Sequence, residues 1–265
     1  MKEKITNLLK EIEKTYNIKI LFAIENGSRS WGMESKDSDY DVRFVFCRNM
    51  EDYLLLDKKD DVINIAFDKN LKVCQTEGSL IDMCGFDIYK YLKLLLSSNP
   101  TTIEWLNSKI IYYGDNNISL REYMHKNFSQ EKLYMHYYSL FKNNYREFIQ
   151  HGKMITYKKY LYSMRGLLNA KYVLHFDKTP PLDFSQTVKD LENILPKEVY
   201  NKIFEVIEIK SKGLEKDKII NIKEFDIYFD KELKHFQTNF KKRRPDIKVF
   251  DRFILETLNK NKIML

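Results

Sequence analysis

The sequence predicts an α+β protein in two parts, and three patterns predict it. Between about residues 18 and 84, short runs rich in Val, Ile and Phe alternate with turn residues, as half-buried strands do. Beyond about residue 101, apolar residues recur at 3.6-residue spacing almost without a break, which is the period of helices. Between the first two strand-like runs lies Gly-Ser-Arg-Ser-Trp-Gly-Met-Glu-Ser-Lys-Asp-Ser-Asp-Tyr-Asp, from Gly27 to Asp41, a turn followed by closely spaced aspartates.

The elements follow in order. Met1 to Tyr16 places Ile5, Leu8, Leu9 and Ile12 on one helical face among charges, so it reads as an amphipathic helix and not as a signal peptide. Strands are predicted near 18–25, 40–47, 62–67, 71–75 and 80–84. A helix over about 87–98 stops at Asn99-Pro100, because proline disfavours a helical residue before it. Further helices are predicted near 101–107, 129–150, 156–174, 183–194, 196–211 and 246–261, with Pro180-Pro181 and Pro196 as breaks or starts. Strand patterns fade at Tyr113-Gly114-Asp115-Asn116-Asn117, a polar turn cluster. The boundary is set there, giving an α/β part over 1–115 and a helical part over 116–265.

Composition narrows the class. With 265 residues, 43% of them hydrophobic, the chain can bury a sizeable core, and no apolar run reaches the roughly 18 residues that span a bilayer. The basic excess of +7 suits an anionic partner such as nucleic acid, or reflects Lys-rich usage. The 18 tyrosines and 17 phenylalanines offer stacking surfaces, most of which must be core. Cys47, Cys74 and Cys84 are odd in number and unpaired in spacing, which argues against disulfides or a zinc site and for a reducing cytoplasm. The five histidines show no ligand spacing, and neither a Walker phosphate loop nor a dinucleotide fingerprint is present.

The Gly27–Asp41 stretch carries the chemistry. Side chains on a strand alternate, so Asp39, Asp41 and Arg43 share one face while Tyr40, Val42, Phe44 and Phe46 pack behind them. At about 3.3 Å per residue the two carboxylates stand roughly 6.6 Å apart along the strand. Hard oxygen ligands at that spacing can share one or two Mg²⁺ ions, which can hold the attacking and leaving oxygens of a phosphoryl group. A solvated strand entry after an ordinary turn is the alternative.

This arrangement resembles the metal-binding signature of the DNA polymerase β nucleotidyltransferase superfamily. The longer strings Ala23 to Gly32 and Asp37 to Phe44 resemble the opening of the RNA-repair-pathway polymerase-β-like nucleotidyltransferases of bacteria and phages. Gly85-Phe86-Asp87-Ile88, Ser98-Asn99-Pro100, Glu104 to Ser108 and Lys158 to Arg165 extend the resemblance over about residues 20–190. It implies a catalytic α/β domain with a mixed sheet, a helical domain completing a nucleotide cleft, and two-metal transfer of an NMP from an NTP, ATP foremost, with Mg²⁺ or Mn²⁺. The acceptor it implies is a hydroxyl at an RNA 3′ end. Nucleotidylation of a protein or small molecule is the nearest alternative, and a nucleotide- or RNA-binding protein without catalysis is the other.

The resemblance also implies a third carboxylate on a neighbouring strand. Asp82, inside a short apolar run, is the choice, since an ionised group there needs a metal or partner. Asp87 is the reserve, with a competing reading as the cap of the following helix. Gly27, Ser28 and Arg29 are implied at the triphosphate, Arg29 also being placed to pair with Asp37 or Glu34. Trp31 reads as packing ahead of base stacking. From the helical part, Lys158 or Lys159 and Arg165 are implied to meet phosphates, Lys158, Tyr162 and Arg165 sharing a helical face. Lys241-Lys242-Arg243-Arg244 is a further basic run, read as a solvated loop or an RNA grip. Nothing in the sequence speaks to oligomeric state.

Overall fold

In a computed structural model of the protein, residues 1–35, 38–115, 118–152, 155–214 and 218–260 are described. They fall into two compact units. One comprises Met1–Ser30, Asp39–Asn127 and Arg244–Leu265, the other Trp31–Ser38 and Phe128–Arg243.

The first unit opens with α1 (Lys2–Tyr16), which buries Ile5, Leu8, Leu9 and Ile12 and ends at Asn17, where a left-handed residue returns its N–H to Glu13 O. Then come β1 (Lys19–Asn26), the single turn α2 (Gly27–Ser30), β2 (Tyr40–Cys47), α3 (Met50–Leu54), β3 (Val62–Phe67), β4 (Val73–Cys74) and β5 (Ile81–Asp87). α4 (Ile88–Leu96) is capped by Asp87, whose carboxylate accepts from Tyr89 N. α5 (Pro100–Asn107) is capped by Asn99 ahead of a proline in the first turn. β6 (Ile111–Gly114) and α6 (Ile118–Asn127) follow.

The strands form one sheet in the order β4-β3-β5-β2-β1-β6. It is mixed, as expected: β2 and β5 run parallel in its middle, and the remaining neighbours are antiparallel. α1 covers the face formed by Val42, Phe44, Phe46, Ile81 and Met83. On the other face Phe22 meets Tyr91 of α4 and Phe86 meets Trp105 of α5, with ring centroids 5.6 and 4.6 Å apart. Burying apolar surface on both faces fixes the register of the central strands, since a one-residue slip would turn every side chain over.

The second unit is helical: α7 (Gln130–Asn144), α8 (Tyr157–Phe176), α9 (Phe184–Asp190), α10 (Lys197–Ile209) and α11 (Lys223–Glu232). α7 and α10 run on into wider π-helical turns, Tyr145–Gln150 and Lys210–Leu214. Aromatic rings fill the core, Phe141, Tyr145 and Tyr160 packing around Phe229. After this unit the chain returns to the first with α12 (Ile247–Lys260), which packs on α4. Among the described residues no helix is long and apolar enough to cross a membrane.

Several details depart from the sequence reading. The first unit does not stop at residue 115 but continues through α6 and regains the chain from Arg244, while Trp31–Ser38 belongs with the helices. β6, α3, α6 and α11 were not anticipated. β6 has four residues, too few for a period to show, and the partial burial of Ile111 and Tyr113 comes from pairing with β1. The strand expected over 71–75 shrinks to the pair Val73–Cys74.

Candidate active site

β2 and β5 bring together two of the aspartates singled out in the sequence. In the parallel register Asp41 lies beside Asp82 and Arg43 beside Cys84, so both carboxylates project from the same level of neighbouring strands. Arg43 lies between them. Its Nη2 donates to Asp41 Oδ1 and to Asp82 Oδ2, each at 2.9 Å, and its Nη1 donates to the carbonyls of Val42 and Asp82 at 3.1 and 3.0 Å. The three side chains retain 25%, 21% and 16% of their surface for Asp41, Asp82 and Arg43, enough for solutes to reach them.

Two neighbours hold Asp41 in place. Gly27, at φ +64°, leaves room that a β-carbon would take from the Asp41 carboxylate, which explains a glycine at the head of the turn. Glu25, fully buried on β1, accepts from Asp41 N at 2.9 Å and from the Tyr112 hydroxyl. Burial pushes the Glu25 carboxyl up to about 7, with the hydrogen bonds from Tyr112 and Asp41 N opposing and the Asp41 charge adding to the rise. Glu25 was quoted in the sequence motif without a role. Its signal was there, an acid directly after the apolar run Phe22-Ala23-Ile24 on a predicted strand.

Asp39 stands apart. It precedes β2 and is exposed, and its backbone carbonyl accepts from Arg29 Nε at 3.0 Å. Among the described residues, no three His, Cys, Asp or Glu side chains gather closely enough to hold one metal ion, so Asp41 and Asp82 form a pair that Asp39 does not complete. Asp87 is five residues farther along β5, roughly 16 Å at 3.3 Å per residue. There it caps α4 and accepts from the Tyr53 hydroxyl at 2.8 Å, and burial raises its pKa.

Ser28 is buried in the turn and Arg29 lies over the Tyr40 ring at 4.0 Å. Arg29 thus ties the Gly-Ser turn to the start of β2. Glu34 is exposed, and Asp37, the other partner considered for Arg29, lies outside the described residues.

The residues expected from the helical part form a different structure, inside the second unit. Lys158, Tyr162 and Arg165 do share a face of α8, but that face meets Trp31. Arg165 is buried with its guanidinium 3.8 Å from the Trp31 ring centre, Tyr162 packs edge-on to Trp31 at 5.8 Å, and Lys158 lies over Tyr162. Lys159 turns to Phe148 in the π-helical turn. The rest of the loop is fastened to the same unit. Trp31 O accepts from Phe184 N at 3.0 Å, and Met33 O accepts from the ammonium of Lys210, which is buried to 1% exposure. Of the basic run, Lys241 and Arg243 both reach Asp177, at 2.9 and 2.8 Å, and Arg243 stacks over Phe128.

Comparison with known proteins adds the lineage. An uncharacterised protein of Bacillus subtilis (strain 168), YcgL, is 33% identical over 219 residues, 82% of this chain and 79% of that protein. The spectinomycin adenyltransferase AAD(9) of Enterococcus faecialis, solved with ATP and spectinomycin, aligns over 88% of this chain and 98% of its own at 12% identity and TM-score 0.46. A nucleotidyltransferase-like protein of Exiguobacterium sibiricum 255-15 aligns over 79% and 74% at 12% identity and TM-score 0.31. The RNA repair pathway DNA polymerase beta family matches residues 1–256. With that match over nearly its whole length, the chain belongs to the RNA repair pathway DNA polymerase beta family, and is a nucleotidyltransferase of the polymerase-β kind.

Proposed function

We propose that the protein moves a nucleoside monophosphate from an NTP, ATP foremost, to the hydroxyl of an RNA 3′ end and releases pyrophosphate, using Mg²⁺ or Mn²⁺ held by Asp41 and Asp82. The observation that supports this reading is the convergence of Asp41 Oδ1 and Asp82 Oδ2 on one cationic nitrogen at 2.9 Å each. Two hard oxygens aimed at one point fit a small divalent cation, with its other positions left to phosphate oxygens and water. One or two such ions would neutralise triphosphate charge and lower the pKa of the attacking hydroxyl.

The chain's own residues do the remainder. Gly27 and Glu25 keep the Asp41 carboxylate and backbone in position. The Ser28 hydroxyl and the amides of its turn donate to triphosphate oxygens. In the helical unit, Arg165 and Tyr162 hold Trp31. The acceptor oxygen forms a bond to the α-phosphorus as the bond to the bridging oxygen of the β-phosphate breaks, and the hydroxyl proton passes to solvent. RNA is the acceptor named because the family's description is RNA repair and the chain carries a net charge of +7.

The test is pyrophosphate release from each NTP with Mg²⁺ or Mn²⁺, with an RNA oligonucleotide ending in a 3′ hydroxyl and with the same oligonucleotide blocked by a 3′ phosphate. Release that needs the free hydroxyl and is lost in Asp41→Ala and Asp82→Ala is the expected result. Equal release without RNA, or labelling of protein instead, would replace RNA as the acceptor. Full activity in both aspartate variants would remove the mechanism.

A further inference from the structure

Arg43 sits at the point on which the candidate metal ligands converge. Its Nη2 lies 2.9 Å from Asp41 Oδ1 and 2.9 Å from Asp82 Oδ2, whereas an ion the size of Mg²⁺ takes oxygen at about 2.0–2.1 Å. An ion bound to both oxygens would need the lone pairs, and much of the space, that Nη2 uses. One guanidinium nitrogen and one divalent ion cannot share that point.

The other guanidinium nitrogen is differently engaged. Nη1 donates to the carbonyls of Val42 and Asp82, which belong to the strands and stay where they are whether or not the carboxylates change partner. Arg43 is therefore tethered beside the site by bonds that do not involve the carboxylates. Arginine suits this part, because it stays charged and its fork reaches several acceptors at once. The local balance is two carboxylates against one guanidinium, a net of −1, so the metal-free pair is held together by attraction to a cation between them.

Resting on the reading of Asp41 and Asp82 as the metal-holding pair, we propose that Arg43 is the built-in counter-ion of the metal-free site. A divalent cation displaces it from both carboxylates, while its bonds to the Val42 and Asp82 carbonyls keep it at hand. Metal entry then costs an ion pair, so bare metal binds more weakly than the carboxylates alone would allow. A guanidinium freed at the rim favours an incoming anion, so metal and triphosphate load together.

A supporting role in the sheet and a competing role at the site predict opposite signs, which makes the test sharp. Mn²⁺ binding to the full-length protein is followed by electron paramagnetic resonance without nucleotide, for wild type, Arg43→Met, Arg43→Lys and Asp41→Ala. Arg43→Met is expected to bind Mn²⁺ about tenfold more tightly than wild type, the scale of one lost charged hydrogen-bond pair. In thermal unfolding it is expected to melt lower than wild type in EDTA and to recover in saturating Mn²⁺. Arg43→Lys, which keeps the charge but is too short to make the same fork, is expected to lie between the two. It also decides the matter if the methionine variant does not fold.

Equal or weaker Mn²⁺ binding in the Arg43 variants overturns the proposal and leaves the metal pair standing. No Mn²⁺ binding by wild type, Arg43→Met and Arg43→Lys alike removes the metal pair, and this inference falls with it.

Discussion

The β2–β5 end of the sheet and the basic face of α8 carry comparable chemistry, charged side chains beside aromatic rings, yet they use it in opposite ways. At the sheet, Asp41, Asp82 and Arg43 keep part of their surface open and meet at one point, where charge can be exchanged for a ligand. On α8, Arg165 is buried and its guanidinium lies over the Trp31 ring, so its charge goes into holding the start of the loop that follows the Gly-Ser turn. The difference teaches that a basic residue in a family motif can serve a site by fastening its scaffold. Solvent exposure and the nature of the first partner separate the two roles more reliably than residue type.

The sharpest way to break the comparison is to remove each side's central residue. Asp41→Ala should lower nucleotidyl transfer by a thousandfold or more, a change of about 4 kcal/mol in barrier, with the unfolding midpoint close to wild type. Steady-state pyrophosphate release and circular dichroism melts check both halves, and near-normal turnover would place the chemistry elsewhere.

Glu25 supplies the next largest effect, on stability. Its carboxyl is raised from 4.5 to about 7, so between those values the folded protein keeps a proton that the unfolded chain has released. Stability contributed by the neutral form is whole below pH 4.5 and is lost as pH rises through 7, by on the order of 3 kcal/mol from a shift of this size. Glu25→Gln should flatten that slope in metal-free denaturant titrations across pH 5–8. A slope that survives the substitution would assign it to other groups.

Arg165→Met should cost about 1–2 kcal/mol in stability through the lost contact with Trp31, and NTP affinity should fall no further than that loss explains. If isothermal titration instead finds intact stability with NTP binding weakened tenfold, Arg165 works on phosphate and the contrast drawn above collapses. The smallest effect belongs to the basic run. Lys241 is 68% exposed in its pair with Asp177, so Lys241→Met should change stability by less than about 1 kcal/mol, as an unfolding curve would register.

Much of this was legible from the sequence for a simple reason: the interactions concerned are local. Asp41 and Arg43, at alternate positions of one apolar run, share a face by strand geometry alone, and Asp87 ahead of an apolar helix reads as the cap it is. The amphipathic stripe of α1 and the helical run after residue 128 follow from period in the same way. The membership of the chain in a nucleotidyltransferase family was visible too, because its signature is contiguous.

Other facts depend on which distant segments become neighbours. The pairing of Asp41 with Asp82 needs the parallel register of β2 and β5, set across 41 residues of chain by the apolar faces those strands bury. The hold of Lys210 on Met33 joins residues 177 apart, and the bond of Tyr112 to Glu25 spans 87. No period in the sequence encodes such contacts. The sequence by itself determined the residue types, their spacing and the faces they occupy. Tertiary structure alone decided which charges meet each other, which meet a ring, and which carboxylate is buried deeply enough to hold its proton near neutral pH, because desolvation and Coulomb attraction act between groups brought together in space.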